Sequence, residues 1–371
     1  MEDERRWQAA RRLLCVRLDS IGDVLMMGPA IRALRGSGEG REVTLLTSPS
    51  GAAVARLMPE VDDVIVYEAP WMKATATRRV AARDFEMIGQ LEARRFDAAI
   101  IFTAYSQSPL PAALLAYLAG IPLRLAHCRE NPYQLLTDWV PDPEPENMAR
   151  HEVQRQLDLV GSIGATVADT RLRVRVTDGA RDLVREMLAA CGVRPGAYVV
   201  VHPGGTAPSR RYPPELFAEV VTGLEGQGLS VIVTGDGTER EIVAQTLSRS
   251  KGAAVDLSGR LSLEQLCAVI ADARVLIAGN TGPVHLAAAV GTPVVDLYAL
   301  TNPQHTPWGV PSRVLSHPVA CQWCYKSVCP EGHHLCLRGV APASVVAAAF
   351  ELLEEGIERG VPGRGAVDTR A

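Results

Sequence analysis

Short apolar runs alternate with segments of helical periodicity along the first half of the chain. The apolar runs predict buried strands at 13–18, 43–46, 64–67 and 96–101. Helices are predicted between and after them, at 23–34, 50–57, 111–118 and 151–163. The stretch 140–146 is rich in proline and acidic residues and is predicted to be a loop. This alternation indicates parallel βαβ units.

The same alternation begins again after Asp178. Strands are predicted at 198–201, 229–233, 254–257, 275–278 and 293–298, and helices at 214–224, 239–248, 263–271 and from Gly282 onward. Two doubly wound halves predict an α/β protein whose two domains face each other across a cleft. A length of 371 residues suits two domains, which we place at 1–176 and 177–371. Residues 360–371, rich in glycine and arginine, are predicted to be a disordered tail.

Composition and charge exclude several classes of function. Apolar residues make up 47% of the chain and charged residues 22%, as in a soluble globular protein. The net charge of −4 gives no argument for nucleic-acid binding. The first twelve residues lack the apolar core of a signal peptide, and no apolar run reaches the roughly 18 residues of a membrane helix. We therefore expect a cytoplasmic protein and leave peripheral membrane contact open.

The segment most informative about function is 279–289, which reads Gly-Asn-Thr-Gly-Pro-Val-His-Leu-Ala-Ala-Ala. It joins a predicted strand to an alanine-rich helix. Backbone N–H groups at such a helix start, with the positive end of the helix dipole, favour an anion such as phosphate. The simpler interpretation is a strand–helix turn that needs glycine for its backbone alone.

Three further segments at predicted strand ends carry turn residues or anion-binding residues. They lie at 19–23, 202–213 and 234–239. The glycine-rich turns offer backbone N–H groups, and Arg210 and Arg211 offer charge to a diphosphate. The sequence contains neither a GxxxxGK[ST] loop nor a GxGxxG fingerprint at a strand–helix turn, which argues against a P-loop NTPase and against a dinucleotide oxidoreductase.

Five segments, in this order, resemble the heptosyltransferases of glycosyltransferase family 9. They are 17–25 (Arg-Leu-Asp-Ser-Ile-Gly-Asp-Val-Leu), 202–213 (His-Pro-Gly-Gly to Arg-Arg-Tyr-Pro), Ser258-Gly259, 280–286 (Asn-Thr-Gly-Pro-Val-His-Leu) and Pro307-Trp308-Gly309. The resemblance runs from about Leu13 to Ala348. It implies the GT-B fold, with the acceptor on the first Rossmann-like domain and the nucleotide-sugar on the second. It also implies inverting, metal-independent transfer from an ADP-activated heptose.

The resemblance assigns roles by position. Asp23 matches the general base, which takes a proton from the acceptor hydroxyl as that hydroxyl attacks the anomeric carbon. Without the resemblance, Asp23 is more simply an N-cap or first-turn carboxylate, and Asp19 is a rival carboxylate that we interpret as a turn residue. Arg210 matches the basic residue that contacts the sugar-diphosphate, against the alternative of a solvated surface arginine.

The predicted donor-binding residues come from the three segments of the second half. Backbone amides of Thr281 and Gly282 are expected to hold the phosphates and to stabilise the departing ADP. His285 is expected either to touch phosphate or to pack, and both alternatives stay open. The full predicted set is Gly204, Thr206, Arg210, Arg211, Gly235, Glu239, Asn280, Thr281, Gly282, Pro283 and His285.

The predicted reaction is heptosyl transfer from a nucleotide-diphosphate donor, ADP-heptose, to a saccharide, glycolipid or natural-product acceptor, with no cofactor for catalysis. Lipopolysaccharide biosynthesis is the pathway that the resemblance implies. Asn280 stands where many family members have Asp, which keeps the hydrogen-bonding geometry, loses the charge and leaves the donor sugar open. The alternatives are a GT-B transferase for another sugar nucleotide, a sugar-nucleotide epimerase and a catalytically silent sugar-nucleotide-binding protein.

Four of the eight cysteines lie within sixteen residues, with His333 and His334 between the last two. They are Cys321, Cys324, Cys329 and Cys336. This spacing in a chain expected to be cytoplasmic predicts a structural zinc site. Disulfides, free thiols and an iron–sulfur cluster are the alternatives. The other four, Cys15, Cys128, Cys191 and Cys267, are predicted to be small core residues.

Overall fold

The computed structural model describes residues 2–73, 75–146, 149–248, 250 and 254–358. The chain divides into two compact units, Met1–Arg173 and Val174–Ala371. The sequence places the boundary at 176/177 instead. The predicted disordered tail at 360–371 lies outside the described residues. None of the described helices combines the length and apolar character needed to cross a membrane.

The first unit contains a parallel sheet of six strands, in the order β3-β2-β1-β4-β5-β6. The strands are β1 (Arg12–Arg17), β2 (Glu42–Thr47), β3 (Asp63–Val66), β4 (Ala98–Ile101), β5 (Leu123–Cys128) and β6 (Asp138–Pro141). The helices are α1 (Glu2–Ala9), α2 (Ile21–Met26), α3 (Gly28–Gly36), α4 (Pro49–Ala55), α5 (Ala82–Arg94), α6 (Leu110–Leu118) and α7 (Glu152–Gly161).

The second unit repeats this arrangement in the order β12-β11-β10-β7-β8-β9, again all parallel. The strands are β7 (Tyr198–His202), β8 (Ser230–Val233), β9 (Val255–Asp256), β10 (Leu276–Gly279), β11 (Val294–Leu297) and β12 (Ser312–Leu315). The helices are α8 (Asp178–Ala190), α9 (Pro214–Gly226), α10 (Arg240–Leu247), α11 (Leu263–Ala271), α12 (Gly282–Val290), α13 (Leu335–Arg338) and α14 (Pro342–Glu358).

Each sheet has the strand order of a dinucleotide-binding fold, with a switch point where the order reverses. The switch lies between β1 and β4 in the first unit and between β7 and β10 in the second. Ligands of such sheets bind beyond the carboxyl ends of the strands at this point. The predicted α/β class with two Rossmann-like domains is therefore confirmed.

Two local predictions in the first unit are wrong. The continuous helix expected at 23–34 is two helices, α2 and α3, which meet at Met27. Pro29 explains the break, because proline has no N–H group and suits only the first turn of a helix. The loop expected at 140–146 begins inside a strand, since β6 extends to Pro141 as the outer strand of the sheet, where proline is tolerated.

Apolar side chains fill each sheet–helix interface. In the second unit the core includes Tyr212 and Phe217, whose rings meet edge to face at 5.0 Å. The Tyr212 hydroxyl donates to the carbonyl oxygen of Val340 (2.7 Å), so the buried polar group is satisfied. This contact ties the start of α9 to the chain that leads into α14.

Gly279 supplies a stability test of the sheet end that positions Arg210. A Cβ atom on Gly279 would lie 2.5 Å from the carbonyl oxygen of Arg210, which is backbone and cannot rotate away. Gly279→Ala is therefore expected to lower the free energy of unfolding by about 1–3 kcal/mol through overpacking. Gly36→Ala is the matched control, because its Cβ would meet no described atom within 4 Å. Equal melting temperatures for the two variants would show that this contact is not tight.

Candidate functional site

The loops after three neighbouring strands of the second unit carry the residues predicted to bind the donor. Strands β10, β7 and β8 lie side by side. Their carboxyl ends lead into the segments that begin at Asn280, Pro203 and Thr234. The structure thus brings the three predicted donor segments to the same end of one sheet, around its switch point.

Asn280 is buried where β10 meets α12. Only 1% of the residue is exposed, and its Nδ2 has no hydrogen-bond partner among the residues that the structure describes. Thr281, the N-cap of α12, donates its hydroxyl hydrogen backward to the carbonyl oxygen of Gly279 (3.1 Å). The positive end of the helix is therefore left without a capping side chain. A buried amide donor beside such a helix start suits an anionic ligand.

Three more predicted donor residues form the first turns of α12. Gly282 and Pro283 are its first two residues, and His285 follows one turn in. Pro283 and His285 are both buried. Because Pro283 has no N–H group, the amides of Thr281 and Gly282 are the relevant backbone donors of this turn.

Glu239 already engages backbone donors of the glycine-rich turns. Its Oε1 accepts from the Gly205 amide (2.7 Å) and its Oε2 from the Asp236 amide (2.9 Å). His202 Nε2 lies 3.5 Å from the same carboxylate, and burial lowers the pKa of this histidine. Two N–H groups that sequence reasoning offered to a phosphate therefore bind a carboxylate of the protein in this structure.

Gly204 and Gly235 surround that carboxylate closely. A Cβ on Gly204 would overlap the carboxylate of Glu239, and a Cβ on Gly235 would lie 3.3 Å from Glu239 Cβ. The need to leave space for Glu239 thus explains glycine at both positions without any ligand. Their contact with the donor stays a prediction, as does that of the exposed Thr206.

Arg210 and Arg211 belong to the segment after β7 but have different surroundings. Arg211 turns back and donates from Nε to the carbonyl oxygen of Gly205 (2.6 Å). Arg210 acts electrostatically on Asp296, a fully buried residue of β11 whose two carboxyl oxygens have no hydrogen-bond partner in the described part of the chain. Burial raises the pKa of Asp296 well above its usual value, and the charge of Arg210 opposes that rise.

The cysteine-rich segment holds the turn that carries Arg210. The Ser209 amide donates to the carbonyl oxygen of Ser327 (3.1 Å), and the Ser209 hydroxyl donates to that of Lys326 (2.7 Å). His334 Nε2 lies 2.9 Å from the Ser209 carbonyl oxygen. Because all three polar groups of Ser209 are engaged, this segment fixes the backbone next to Arg210.

The four clustered cysteines line one cavity together with Trp323, His333 and His334; they are Cys321, Cys324, Cys329 and Cys336. No disulfide joins any of the four in the structure, and Cys321 Sγ lies 3.7 Å from His333 Nε2. Within the described residues, no group of three or more His, Cys, Asp or Glu side chains is placed to hold a metal ion. Zinc therefore stays a prediction. Of the four cysteines expected in the core, Cys191 is exposed at the end of α8, so that prediction is wrong for it.

Asp23 lies at the switch point of the first unit, in the helix directly after β1. Its Oδ2 accepts from the amide (3.3 Å) and the hydroxyl (2.9 Å) of Ser20, and its Oδ1 lies 3.2 Å from Arg17 Nη2. Its side chain is 24% exposed. The carboxylate is thus held in place and still reached by solvent, as a general base must be.

Asp19 is held by the same guanidinium. Its Oδ2 lies 2.8 Å from Arg17 Nε, and its Oδ1 accepts from Gln107 Nε2 (2.6 Å). Burial raises the pKa of Asp19 to about 6, although Arg17 opposes the rise. Asp19 and Asp23 therefore form a carboxylate pair around one arginine.

Arg78 lines a pocket on the first unit. The walls are formed by the end of β3, the start of α4 and α5, with Pro49, Tyr67, Glu68 and Arg83 among the lining residues. Arg78 Nη2 donates to the Glu68 carbonyl oxygen (2.9 Å) and to Asp84 Oδ1 (2.8 Å), so its charge is already paired. Its Nε and Nη1 are buried and have no hydrogen-bond partner among the described residues.

Sequence reasoning did not single out Arg78, Asp296 or Glu152, which binds Arg17 from α7. The sequence does mark Asp296 as unusual, since it is a carboxylate inside an apolar strand-like run. No local pattern marks Arg78 or Glu152, because their surroundings come from segments distant along the chain.

Comparison with known proteins places this geometry in a family. The sequence profile described as glycosyltransferase family 9 (heptosyltransferase) matches residues 85–335. The chain belongs to glycosyltransferase family 9. It is 25% identical over 362 residues to lipopolysaccharide heptosyltransferase 2 of Salmonella typhimurium, covering 93% of this chain and 100% of that protein. This glycosyltransferase is therefore an enzyme of the heptosyltransferase family.

Solved structures confirm the GT-B fold class of this family 9 member. A glycosyl transferase family 9 structure from Veillonella parvula has a TM-score of 0.78 at 21% identity, covering 93% of this chain and 98% of its own. The E. coli ADP-heptose lps heptosyltransferase II has a TM-score of 0.72 at 22% identity, covering 93% and 99%.

Asp296 supplies a pH test of the donor-side unit. A carboxyl whose pKa is raised in the folded state keeps its proton where the unfolded chain loses it, so stability falls as the pH rises from about 4 through the folded-state pKa. The loss is about 1.4 kcal/mol for each unit of pKa difference. Asp296→Asn removes this group, and its free energy of unfolding should depend less on pH than that of the wild type. Urea denaturation between pH 4 and 8 measures this, with the exposed Asp182→Asn as control. Parallel profiles for wild type and Asp296→Asn would contradict the assignment.

Proposed function

We propose that this family 9 enzyme transfers a heptose from ADP-heptose to a saccharide or saccharide-bearing acceptor, with inversion at the anomeric carbon and without a metal ion. The observation that carries the proposal is Asp23, a partly exposed carboxylate fixed by Ser20 and Arg17 at the switch point of the first unit. The names of the similar proteins support the donor and the lipopolysaccharide type of acceptor.

Asp23 acts as the general base of the proposed reaction. It takes the proton of an acceptor hydroxyl, whose oxygen forms the new bond to the anomeric carbon of the heptose. The bond from that carbon to the ADP phosphate oxygen breaks, and ADP leaves with the electron pair. One displacement on the face opposite the leaving group inverts the configuration.

The second unit stabilises the departing diphosphate. The amides of Thr281 and Gly282 at the start of α12, with the positive end of the helix, face developing negative charge. The unpartnered Asn280 Nδ2 and the guanidinium of Arg210 add hydrogen-bond donors and charge. These groups supply the stabilisation that a metal ion gives in other transferases.

Asn280 favours a second candidate donor. An amide at this position hydrogen-bonds without the charge that many family members have there, so a nucleotide carrying a sugar other than heptose is the second candidate donor. In that reaction Asp23 and the start of α12 keep their proposed roles.

Asp23→Asn tests the proposal, with transfer from ADP-heptose to a lipopolysaccharide-core saccharide as the assay. Turnover should fall roughly 10²–10⁴-fold because the general base is lost. ADP should still raise the melting temperature, since ligand bound to the folded state stabilises it. Arg210→Ala should weaken this ADP effect, and Asp182→Asn should change neither readout. Near wild-type turnover in Asp23→Asn would remove Asp23 as the base. Stabilisation by UDP or GDP but not by ADP would remove the ADP donor.

Metal analysis tests the zinc prediction for the four clustered cysteines. A closed four-thiolate site should give about one zinc per purified chain. Cys324→Ser should lose the metal, whereas Cys191→Ser, outside the cluster, should keep it. A protein without zinc or iron, with all four thiols titratable or joined as two disulfides, would contradict the prediction.

A further inference from the structure

Glu152 is a buried carboxylate that reaches Arg17 from 135 positions further along the chain. It begins α7, and neither its side chain nor that of Arg17 is exposed. Its Oε1 accepts from Arg17 Nη1 (2.7 Å) and from Gln156 Nε2 (2.7 Å). The first residue of α7 is therefore in direct contact with the guanidinium that also binds Asp23.

This contact is costly as a device for stability. Burying a carboxylate and a guanidinium removes both from water, and apolar residues often stabilise a protein as well as such a pair does. The cost is not fully offset, because Glu152 Oε2 has no hydrogen-bond partner among the described residues. A role beyond stability is therefore worth seeking.

The geometry of Arg17 shows what Glu152 controls. Three nitrogens of one guanidinium face three carboxylates: Nη1 faces Glu152, Nη2 faces Asp23 and Nε faces Asp19. A guanidinium is planar and rigid, so fixing Nη1 fixes the directions of Nη2 and Nε. The position of Glu152 thus determines where Arg17 can hold Asp23.

The charge of Glu152 also affects the other carboxylates around Arg17. Arg17 from β1, Asp23 from α2 and Glu152 from α7 act on Asp19, and Gln107 donates a hydrogen bond to it. From the N-cap of α4, the uncharged Ser48 donates to the Asp19 carbonyl oxygen (2.6 Å), and on α3 the guanidinium of Arg32 pairs with Glu60. Three carboxylates share one guanidinium, and the negative charges of Asp23 and Glu152 raise the pKa of Asp19.

We propose that Glu152 is a positioning residue for the general base: it orients Arg17 toward Asp23 and keeps a negative charge beside their ion pair. This proposal rests on the proposed function, in which Asp23 takes the acceptor proton. Glu152 does not touch the substrate in this role; it acts through Arg17.

Glu152→Gln removes the charge while keeping the shape of the side chain. We expect kcat to fall roughly 10–100-fold, because a base displaced by a fraction of an ångström is less effective. The KM for the donor and the stabilisation by ADP should stay unchanged, since the donor residues lie in the other unit. The acid limb of kcat/KM should move to lower pH by about one unit, because one nearby negative charge is lost.

Glu144→Gln is the matched control. Glu144 is also a buried glutamate of the first unit, and it pairs with Arg150 (3.1 Å) and Arg155 rather than with Arg17. Both variants lose a buried charge pair, so thermal unfolding should reveal comparable losses of stability. Only Glu152→Gln should change kcat and the acid limb.

Glu152→Asp keeps the negative charge but moves it back by one methylene. This variant takes the place of Glu152→Gln if Glu152→Gln does not fold. It should lower kcat and leave the acid limb where the wild type has it. Wild-type kcat and pH profile in either Glu152 variant, or equal changes in Glu144→Gln, would overturn the positioning role. Wild-type protein that transfers no heptose would instead overturn the proposed function, and the positioning role with it.

Discussion

The buried guanidinium of Arg17 is the interaction on which the carboxylate cluster of the first unit depends. It ends β1, and its charge draws Asp19, Asp23 and Glu152 into one cluster at the switch point of the first sheet. Carboxylates buried without such a partner would take up protons. With it, Asp23 stays fixed and partly exposed, and helix α7 is tied to the strand that leads to the site.

The second unit has a different set of polar groups at the corresponding end of its sheet. The sheet end that we propose for the donor diphosphate combines the start of α12, the amide of Asn280 and Arg210. The turn of Arg210 is held by the cysteine-rich segment through Ser209. A change in this segment would therefore move the backbone next to Arg210. Glu239 shows that the same turns also bind a carboxylate of the protein itself.

The sequence predicts the fold well because apolar strands of parallel sheets are nearly continuous runs, and the strand-end motifs follow them directly. It fails where structure is decided by distant segments. Helix 23–34 breaks at Met27 because of Pro29, which a pattern of apolar positions does not register. Asp23 can be singled out from the sequence because it lies in a segment that resembles the family, and its role as the base stays a prediction. Glu152 cannot be singled out in this way, because its partner lies 135 positions away and no local pattern marks it.

The anomeric configuration of the product tests the central claim most directly. Transfer from ADP-heptose of known configuration, followed by NMR of the anomeric proton in the product, reports whether a single displacement took place. We predict the inverted configuration, with ADP released only when an acceptor is present. A retained configuration, or ADP release that does not need an acceptor, would contradict base-assisted transfer through Asp23.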